Sequence, residues 1–370
     1  MTTSNRLYFL DNLRAFVVIL VIVLHGSMTY MAYAPTWWYV VDPNNSVIFT
    51  QLVLLLDVPI MPILFFLAGY FALPSLQKRG AKLFLKEKFV RVGLPWIFGV
   101  LVLAPLITYM IYFSRGVLMS FLEFWRTDFW GKMYQQSVYW FLGVLLLLFV
   151  VLAWVYEWGD RLHGPQRMVR PSGKVFAAFI ALTAAGFLVI SLSFGPDDWW
   201  HNYFLVYQPV RVPLYIGYFV LGIYAYQHGW FTAGGYKPEI GPWDWACVLS
   251  GLAYLAYRWG VANTSGTTLL VKVGTALLFN TFCFTALIAG VALFQQKVNS
   301  TNAVWSSLAA NSYGIYYVHP LILYPLAYVF VGIPLPLILK APALILVTIA
   351  LAWGASALLF KRVPVLREMF

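Results

Sequence analysis

Apolar residues in this chain gather into long blocks, and polar residues are confined to the short stretches between them. An α-helix rises 1.5 Å per residue and the hydrocarbon core of a bilayer is about 30 Å thick, so a crossing takes about 20 mostly apolar residues. Measured that way, the pattern predicts ten spans, near residues 15–34, 47–73, 92–113, 138–158, 174–194, 204–226, 243–261, 269–293, 308–331 and 340–360. Lipid offers no partner to a free amide, so each span is expected to be helical. The expected fold is all-α: a polytopic helical bundle forming one membrane-embedded domain over residues 1–370, without a separate soluble domain. The longest predicted loop, Ser114–Ser137, has about 24 residues, and there is no convincing repeat or low-complexity linker.

Composition sharpens this picture. Residues of the AVILMFWYC set make up 62% of the chain and charged residues 10%, against roughly 45–50% and 25% in soluble domains. So few charges cannot coat a water-facing surface, which excludes a soluble enzyme, a disordered chain and a nucleic-acid binder despite a net charge of +11. The 16 Trp and 24 Tyr suit interfacial belts. Cys247 and Cys283 both fall inside apolar runs, so neither a disulfide framework nor a metal cluster is implied. The first run resembles a signal peptide, with Ala32-Tyr33-Ala34 as its cleavage site, but its length, Asp11 and Pro35 favour a retained span.

Lys and Arg are distributed unevenly between the two faces. With a cytoplasmic N-terminus, 17 fall on the cytoplasmic side and three, Arg115, Arg126 and Lys132, on the other. The positive-inside rule therefore predicts a cytoplasmic N-terminus, and an even number of spans returns the C-terminus to the same side.

Ionisable residues deep in a span are the candidates for chemistry, because their burial in lipid is unfavourable. Arg14 and His25 are 11 residues apart, which at 100° per residue brings them to within about 20° of one helix face and about 16 Å apart along the axis. With a span starting near 15, Arg14 sits at the cytoplasmic boundary and His25 near the midplane. Arg14 reads as an anchor or as a fork for phosphate. His25 reads as an interhelical hydrogen-bonding group or as a proton acceptor. Ser312, Tyr316 and His319 share a face, and His319 reads as a packing histidine or as part of a substrate channel. Pro320 predicts a local distortion that frees a carbonyl. Gln208, Arg211 and Tyr215 share another face, with Pro209 and Pro213 bracketing Arg211. Arg211 could bind an anionic acyl group or pair with Asp57, and for Asp57 the ion pair is favoured over a catalytic carboxylate. Residues 78–91 carry six cations and one acid, Glu87, with Arg79, Lys82 and Lys86 in a stripe suited to a membrane surface.

Several of these segments together resemble a known family. Arg14 followed by ten residues and His25, the aromatic-rich Phe65-Phe66-Leu67-Ala68-Gly69-Tyr70-Phe71, Arg91-Val92-Gly93-Leu94-Pro95, Tyr139-Trp140-Phe141-Leu142 and Ser312–His319 are similar, in order, to the motifs of the acyltransferase 3 family. Ala68 departs from the pattern, standing where the family often has Ser. The stretch Arg6–Arg14 resembles the glucan biosynthesis protein C branch, for which the resemblance implies succinylation of periplasmic glucans.

The resemblance implies ten core helices and an O-acyltransferase of the bacterial cytoplasmic membrane. It would carry an acetyl or succinyl group from cytoplasmic acyl-CoA, a co-substrate rather than a resident cofactor, to a hydroxyl of an extracytoplasmic carbohydrate. His25 would then be the general base, with Arg14 and His319 beside it in the catalytic set. Arg91, Arg79 and Lys88 would meet the phosphates of CoA, and Trp140 would pack its pantetheine arm. Arg211, Tyr316, Ser312 and Asp57 would line the acceptor side. Ser312 is the one serine placed deep enough to serve as a nucleophile. A secondary transporter or flippase suits proline-broken helices with deep His, Asp and Arg equally well, although an internal repeat is missing. The other membrane-bound O-acyltransferase class also uses a membrane histidine, but its motifs are not these.

Overall fold

The computed structural model describes residues 7–159, 162–164, 166–232, 234–262, 268–360 and 362. Arg6, Arg161, Lys361 and Arg367, four of the cations counted for orientation, lie outside the described residues. The described residues are mostly helical. The chain opens with α1 (Tyr8–Met28), α2 (Val47–Leu56) and α3 (Ile60–Arg79). Next come α4 (Ala81–Lys88), α5 (Leu94–Phe98) and α6 (Ala104–Ser114), joined by π-helical turns at Phe89–Gly93 and Gly99–Leu103. A short α7 (Phe121–Phe124) precedes α8 (Trp140–Trp158) and α9 (Gly173–Ser191). Strands β1 (Trp200–His201) and β2 (Val206–Tyr207) pair antiparallel, with Trp200 opposite Tyr207. The chain continues through α10 (Val212–Gln227), α11 (Ile240–Tyr257), α12 (Leu269–Lys297), α13 (Ala303–Val331) and α14 (Leu337–Ala355).

Helix occurs in all ten predicted stretches. Among the described residues, eight helical segments are long and apolar enough to cross a membrane: Tyr8–Met28, Val47–Arg79, Ala81–Ser114, Ser137–Trp158, Gly173–Ser191, Leu269–Lys297, Ala303–Val331 and Leu337–Phe360. This is a multi-pass helical membrane protein. The other two stretches hold α10, which has 16 residues, and α11, whose 18 include Asp244 and two tryptophans.

The first span differs from its predicted bounds at both ends. It begins at Tyr8 because Phe9 and Leu10 are buried in the bundle. Asp11 and Arg14 are therefore inside the helix, where they pair at 3.0 Å, and Asp11 does not cap it. The helix stops at Met28 because the carbonyls of Thr29 and Tyr30 receive the amides of Asp42 and Ser46 at 2.9 and 3.0 Å. His25 consequently occupies the last turn, about 26 Å from the start of the helix. The predicted midplane depth assumed a later start.

Between those two hydrogen bonds, residues 29–46 form a strap whose ends meet, with Tyr30, Met31, Trp38, Tyr39 and Val40 buried. Arg115 holds it from outside, donating to the carbonyls of Thr36 and Trp38 at 2.8 and 3.0 Å. Ser114 donates to the Tyr39 carbonyl at 2.8 Å.

Helix α1 packs against α2, α3, α12, α13 and α14, and α3 lies along α10. A Cβ at Gly69 would run into the Phe219 carbonyl, and one at Gly222 into the Phe66 carbonyl. Small residues at this crossing let the backbones touch, which in lipid is a main source of helix association. Gly69 of the aromatic-rich motif is therefore a packing residue. Beside Pro209 and Pro213 the helix is irregular, with a 3₁₀ turn over Pro209–Arg211 that leads into α10.

Asp42 at the end of the strap and Lys340 on α14 form an ion pair at 2.6 Å, with both side chains only 3% exposed. Lys340 also donates to the Val331 carbonyl at the end of α13, at 3.1 Å. One lysine thus joins the strap to the last two helices. Removing one partner of a buried pair leaves an uncompensated charge, at a cost of about 3–5 kcal/mol, whereas replacing both with apolar groups is often neutral. Lys340→Met should therefore sharply lower the thermal stability of the detergent-solubilised protein, and Asp42→Leu in the same chain should recover most of the loss. Differential scanning fluorimetry of the two variants checks this.

Candidate active site

The two deep histidines meet. Nδ1 of His25 lies 2.9 Å from Nε2 of His319, and their rings are near-parallel at 15° with centroids 5.2 Å apart. Nδ1 of His319 lies 2.6 Å from the Tyr316 carbonyl oxygen. That carbonyl is available because of Pro320, which occupies the position whose amide would close the i→i−4 bond to Tyr316 and has no N–H to donate. The helix continues through the proline, and the freed carbonyl is satisfied by the histidine that precedes it.

This contact fixes the protons. A carbonyl oxygen only accepts, so Nδ1 of His319 carries the hydrogen, and in a neutral imidazole Nε2 is then an acceptor. Nδ1 of His25 must be the donor to it, which leaves Nε2 of His25 as a bare lone pair. Neutral rings also avoid placing charge in an apolar interior. His319 is fully buried, whereas His25 keeps part of its surface accessible. The arrangement points one basic nitrogen, on the accessible ring, away from the pair.

The strap covers this site. The Trp38 ring lies 5.6 Å from the His25 ring at 45°, and Tyr324 meets Trp38 edge-on at 5.6 Å. Tyr39 packs on Tyr324 at 4.2 Å and donates to Oε1 of Gln135 at 3.0 Å. Ser137, at φ 46°, is one of two non-glycine residues with positive φ among the described residues, and it opens the turn into α8. Such a conformation persists only where the surroundings enforce it. Here the hydroxyl of Tyr316 donates to the neighbouring carbonyl of Val138.

Three family-like segments converge through tyrosine hydroxyls. Tyr313 donates to the carbonyl of Arg91 at 2.8 Å, Tyr317 to that of Pro95 at 2.9 Å, and Tyr139 to that of Tyr317 at 3.1 Å. The segments around Arg91–Pro95, Tyr139–Leu142 and Ser312–His319 are therefore one framework behind the histidine pair.

Other candidates lie apart from it. Arg14 is 40% exposed and pairs with Asp11, about 16 Å along α1 from His25. Arg79 and Arg91 share Glu87 between them, and Lys88 sits over Phe84 and Phe149 at 5.3 and 5.0 Å. Trp140 does not join these cations; it packs with Trp199 and Tyr215 at 5.5 and 5.3 Å. Arg211 is buried and pairs with the carboxylate of Asp57, also donating to the Asp57 carbonyl at 3.1 Å, where the chain breaks between α2 and α3. Its guanidinium also faces Phe279 at 5.5 Å. Asp57 therefore bonds to Arg211 and not to His25. The hydroxyl of Ser312 donates to its own helix at Ala309, 3.0 Å away, and is not presented as a nucleophile. In the outer loop, hydrogen bonds from Tyr112 and Lys132 hold the Asp128 carboxyl below the ordinary carboxylate range.

Residues outside the predicted set also matter. Asn12 donates to the carbonyls of Val298 and Ser300 at 2.8 and 3.2 Å, fastening the start of α1 to the approach to α13. This sets the register that brings His25 level with His319. Trp38, Asp42 and Lys340 gave no spacing signal, since their partners are far away in the chain. A cavity of about 490 Å³, lined by Leu7, Phe9, Lys237 and Gln295 among others, lies at the opposite end of α1 from His25.

Comparison with known proteins agrees with the motifs. The acyltransferase domain family model matches residues 7–357. Glucans biosynthesis protein C of Salmonella schwarzengrund (strain CVM19633) is 25% identical over 403 aligned positions, covering 99% of this chain and 95% of that protein. The protein of the same name from Salmonella typhi gives the same identity and coverage. That of Escherichia coli K12 is 24% identical over 279 positions, covering 69% of this chain and 66% of the relative. No solved structure matches. With helices long and apolar enough to span a membrane, and with this match over nearly its whole length, the chain belongs to the acyltransferase 3 family of membrane acyltransferases.

Proposed function

We propose that the protein moves an acetyl or succinyl group from acyl-CoA, bound at the cytoplasmic face, to a hydroxyl of a carbohydrate on the opposite side of the bacterial cytoplasmic membrane. The names of its relatives support a glucan as the acceptor. One observation carries the reading: the hydrogen-bonded chain from the Tyr316 carbonyl through His319 to His25, which ends in a bare Nε2. The family match supports transfer over transport.

His25 Nε2 takes the proton of the acceptor hydroxyl as its oxygen adds to the thioester carbonyl. The positive charge that appears on His25 is shared towards Nε2 of His319, which accepts from the same ring. When the intermediate collapses, the C–S bond breaks, the thiolate takes the proton back, and free CoA and an O-acyl ester result. At the donor face, Arg79 and Arg91 present two guanidiniums to one carboxylate, an excess of positive charge suited to phosphate. Arg14 lies at the same end of α1 as the predicted cytoplasmic boundary. Because Arg211 is engaged by Asp57, it gives no preference for a dicarboxylic acyl group.

Loss of a positioned base lowers rates by about 10²–10⁴. His25→Gln should reduce transfer to that extent while acyl-CoA binding is retained. His319→Gln keeps an amide oxygen that can accept from His25, so it should retain clearly more activity than His319→Leu, which cannot. Steady-state assays of released thiol and acylated sugar measure both, and equal activity for the two His319 variants would remove the relay. On the donor side, Arg91→Ala should raise the acyl-CoA KM more than Lys82→Ala. Indistinguishable values would return the basic segment to membrane anchoring.

A further inference from the structure

Addition of a hydroxyl to a thioester puts negative charge on the carbonyl oxygen, and preorganised donors at that point are among the strongest contributors to such catalysis. Two uncommitted donors lie in one ring cluster with His25. Trp38 is 3% exposed and Tyr324 is fully buried. Neither Nε1 of Trp38 nor the hydroxyl of Tyr324 has a hydrogen-bond partner. Of the neighbouring tyrosines, Tyr39 is committed to Gln135, Tyr139 to Tyr317, Tyr316 to Val138 and Tyr317 to Pro95. A buried donor without an acceptor is unfavourable, and these two, Trp38 beside His25 and Tyr324 edge-on to Trp38, call for an acceptor that arrives with the substrate.

Their placement is rigid. Trp38 is held by Arg115 at its own carbonyl, by Ser114 at the next residue and by the Asp42–Lys340 pair at the end of the strap. Tyr324 rides on α13, the helix that carries His319. Donors fixed in this way need no reorganisation as charge develops.

We propose that Trp38 Nε1–H and Tyr324 O–H donate to the oxyanion formed on the acyl carbon, which makes both catalytic residues. The inference rests on the acyl-transfer reading. In the step, the acceptor oxygen bonds to the acyl carbon, its proton goes to His25 Nε2, and the carbonyl π pair moves onto the oxygen facing the two donors. The pair returns as the C–S bond breaks, and the departing sulfur takes the proton from His25.

The test uses the full chain in proteoliposomes, with acetyl-CoA and succinyl-CoA in turn as donor and a β-linked gluco-oligosaccharide as acceptor. Trp38→Phe and Tyr324→Phe should each lower kcat by about 10²–10³, with the donor KM unchanged. Binding of a CoA thioether, which has no thioester carbonyl, should be unaffected. Thermal stability should be retained or raised, because each change removes an unsatisfied buried group. Wild-type kcat in Tyr324→Phe, which loses only the hydroxyl, would overturn the role of Tyr324. Weaker thioether binding together with lower stability in Trp38→Phe would make the indole a packing group and overturn the role of Trp38. If the wild type forms neither free thiol nor acylated sugar with either donor, the acyl-transfer reading fails and the inference falls with it.

Discussion

A missing amide hydrogen organises this site. Pro320 cannot complete the helical bond to Tyr316, and in an apolar interior that carbonyl must find another donor. His319 supplies it, at 2.6 Å, and in doing so commits its proton to Nδ1. Everything at the adjacent ring follows: His25 donates through Nδ1, and its basic nitrogen is Nε2. The orientation of the proposed base is thus set by backbone chemistry, with no carboxylate bonded to either imidazole among the described contacts. Carrying no fixed charge, such a relay avoids the desolvation penalty of a buried carboxylate.

Longer-range contacts hold the relay in place. Asn12 sets α1 against the approach to α13, tyrosine hydroxyls bind the segments at 91–95, 139–142 and 312–319 to one another, and the strap lies over His25. The ionic contacts are segregated from this framework. Asp42–Lys340 pins the strap, Asp57–Arg211 closes the break between α2 and α3, and Arg79 and Arg91 gather on Glu87. Family motifs that look alike in the sequence therefore differ in what they do in the fold. His25 and His319 meet, whereas Gly69, Tyr313 and Tyr317 hold helices together.

Much of the fold was legible in the sequence, because a bilayer converts apolar length directly into helix. The ends of α1 were not, since burial of Phe9 and Leu10 and the closing of the strap are tertiary events. The freed carbonyl was legible from Pro320 alone, as a local consequence of proline. Its partner was not, because the meeting of His25 and His319 spans 294 residues and depends on how α1 and α13 pack. Helical spacing placed Ser312 on the same face as His319 but could not show that its hydroxyl bonds back to Ala309. Trp38 lay in the predicted loop just past the first span, where an interfacial tryptophan is commonplace, and nothing local distinguished it.

The protonation pattern of the pair is the claim on which this account stands. Nitrogen NMR of the ¹⁵N-histidine-labelled protein in lipid, with assignment by His25→Gln and His319→Gln, reads it directly. Both imidazoles should be neutral near neutral pH, with hydrogen on Nδ1 and a bare Nε2 in each, and with a coupling across the 2.9 Å contact. A proton on Nε2 of His25, or a bare Nδ1 on His319, would contradict the account.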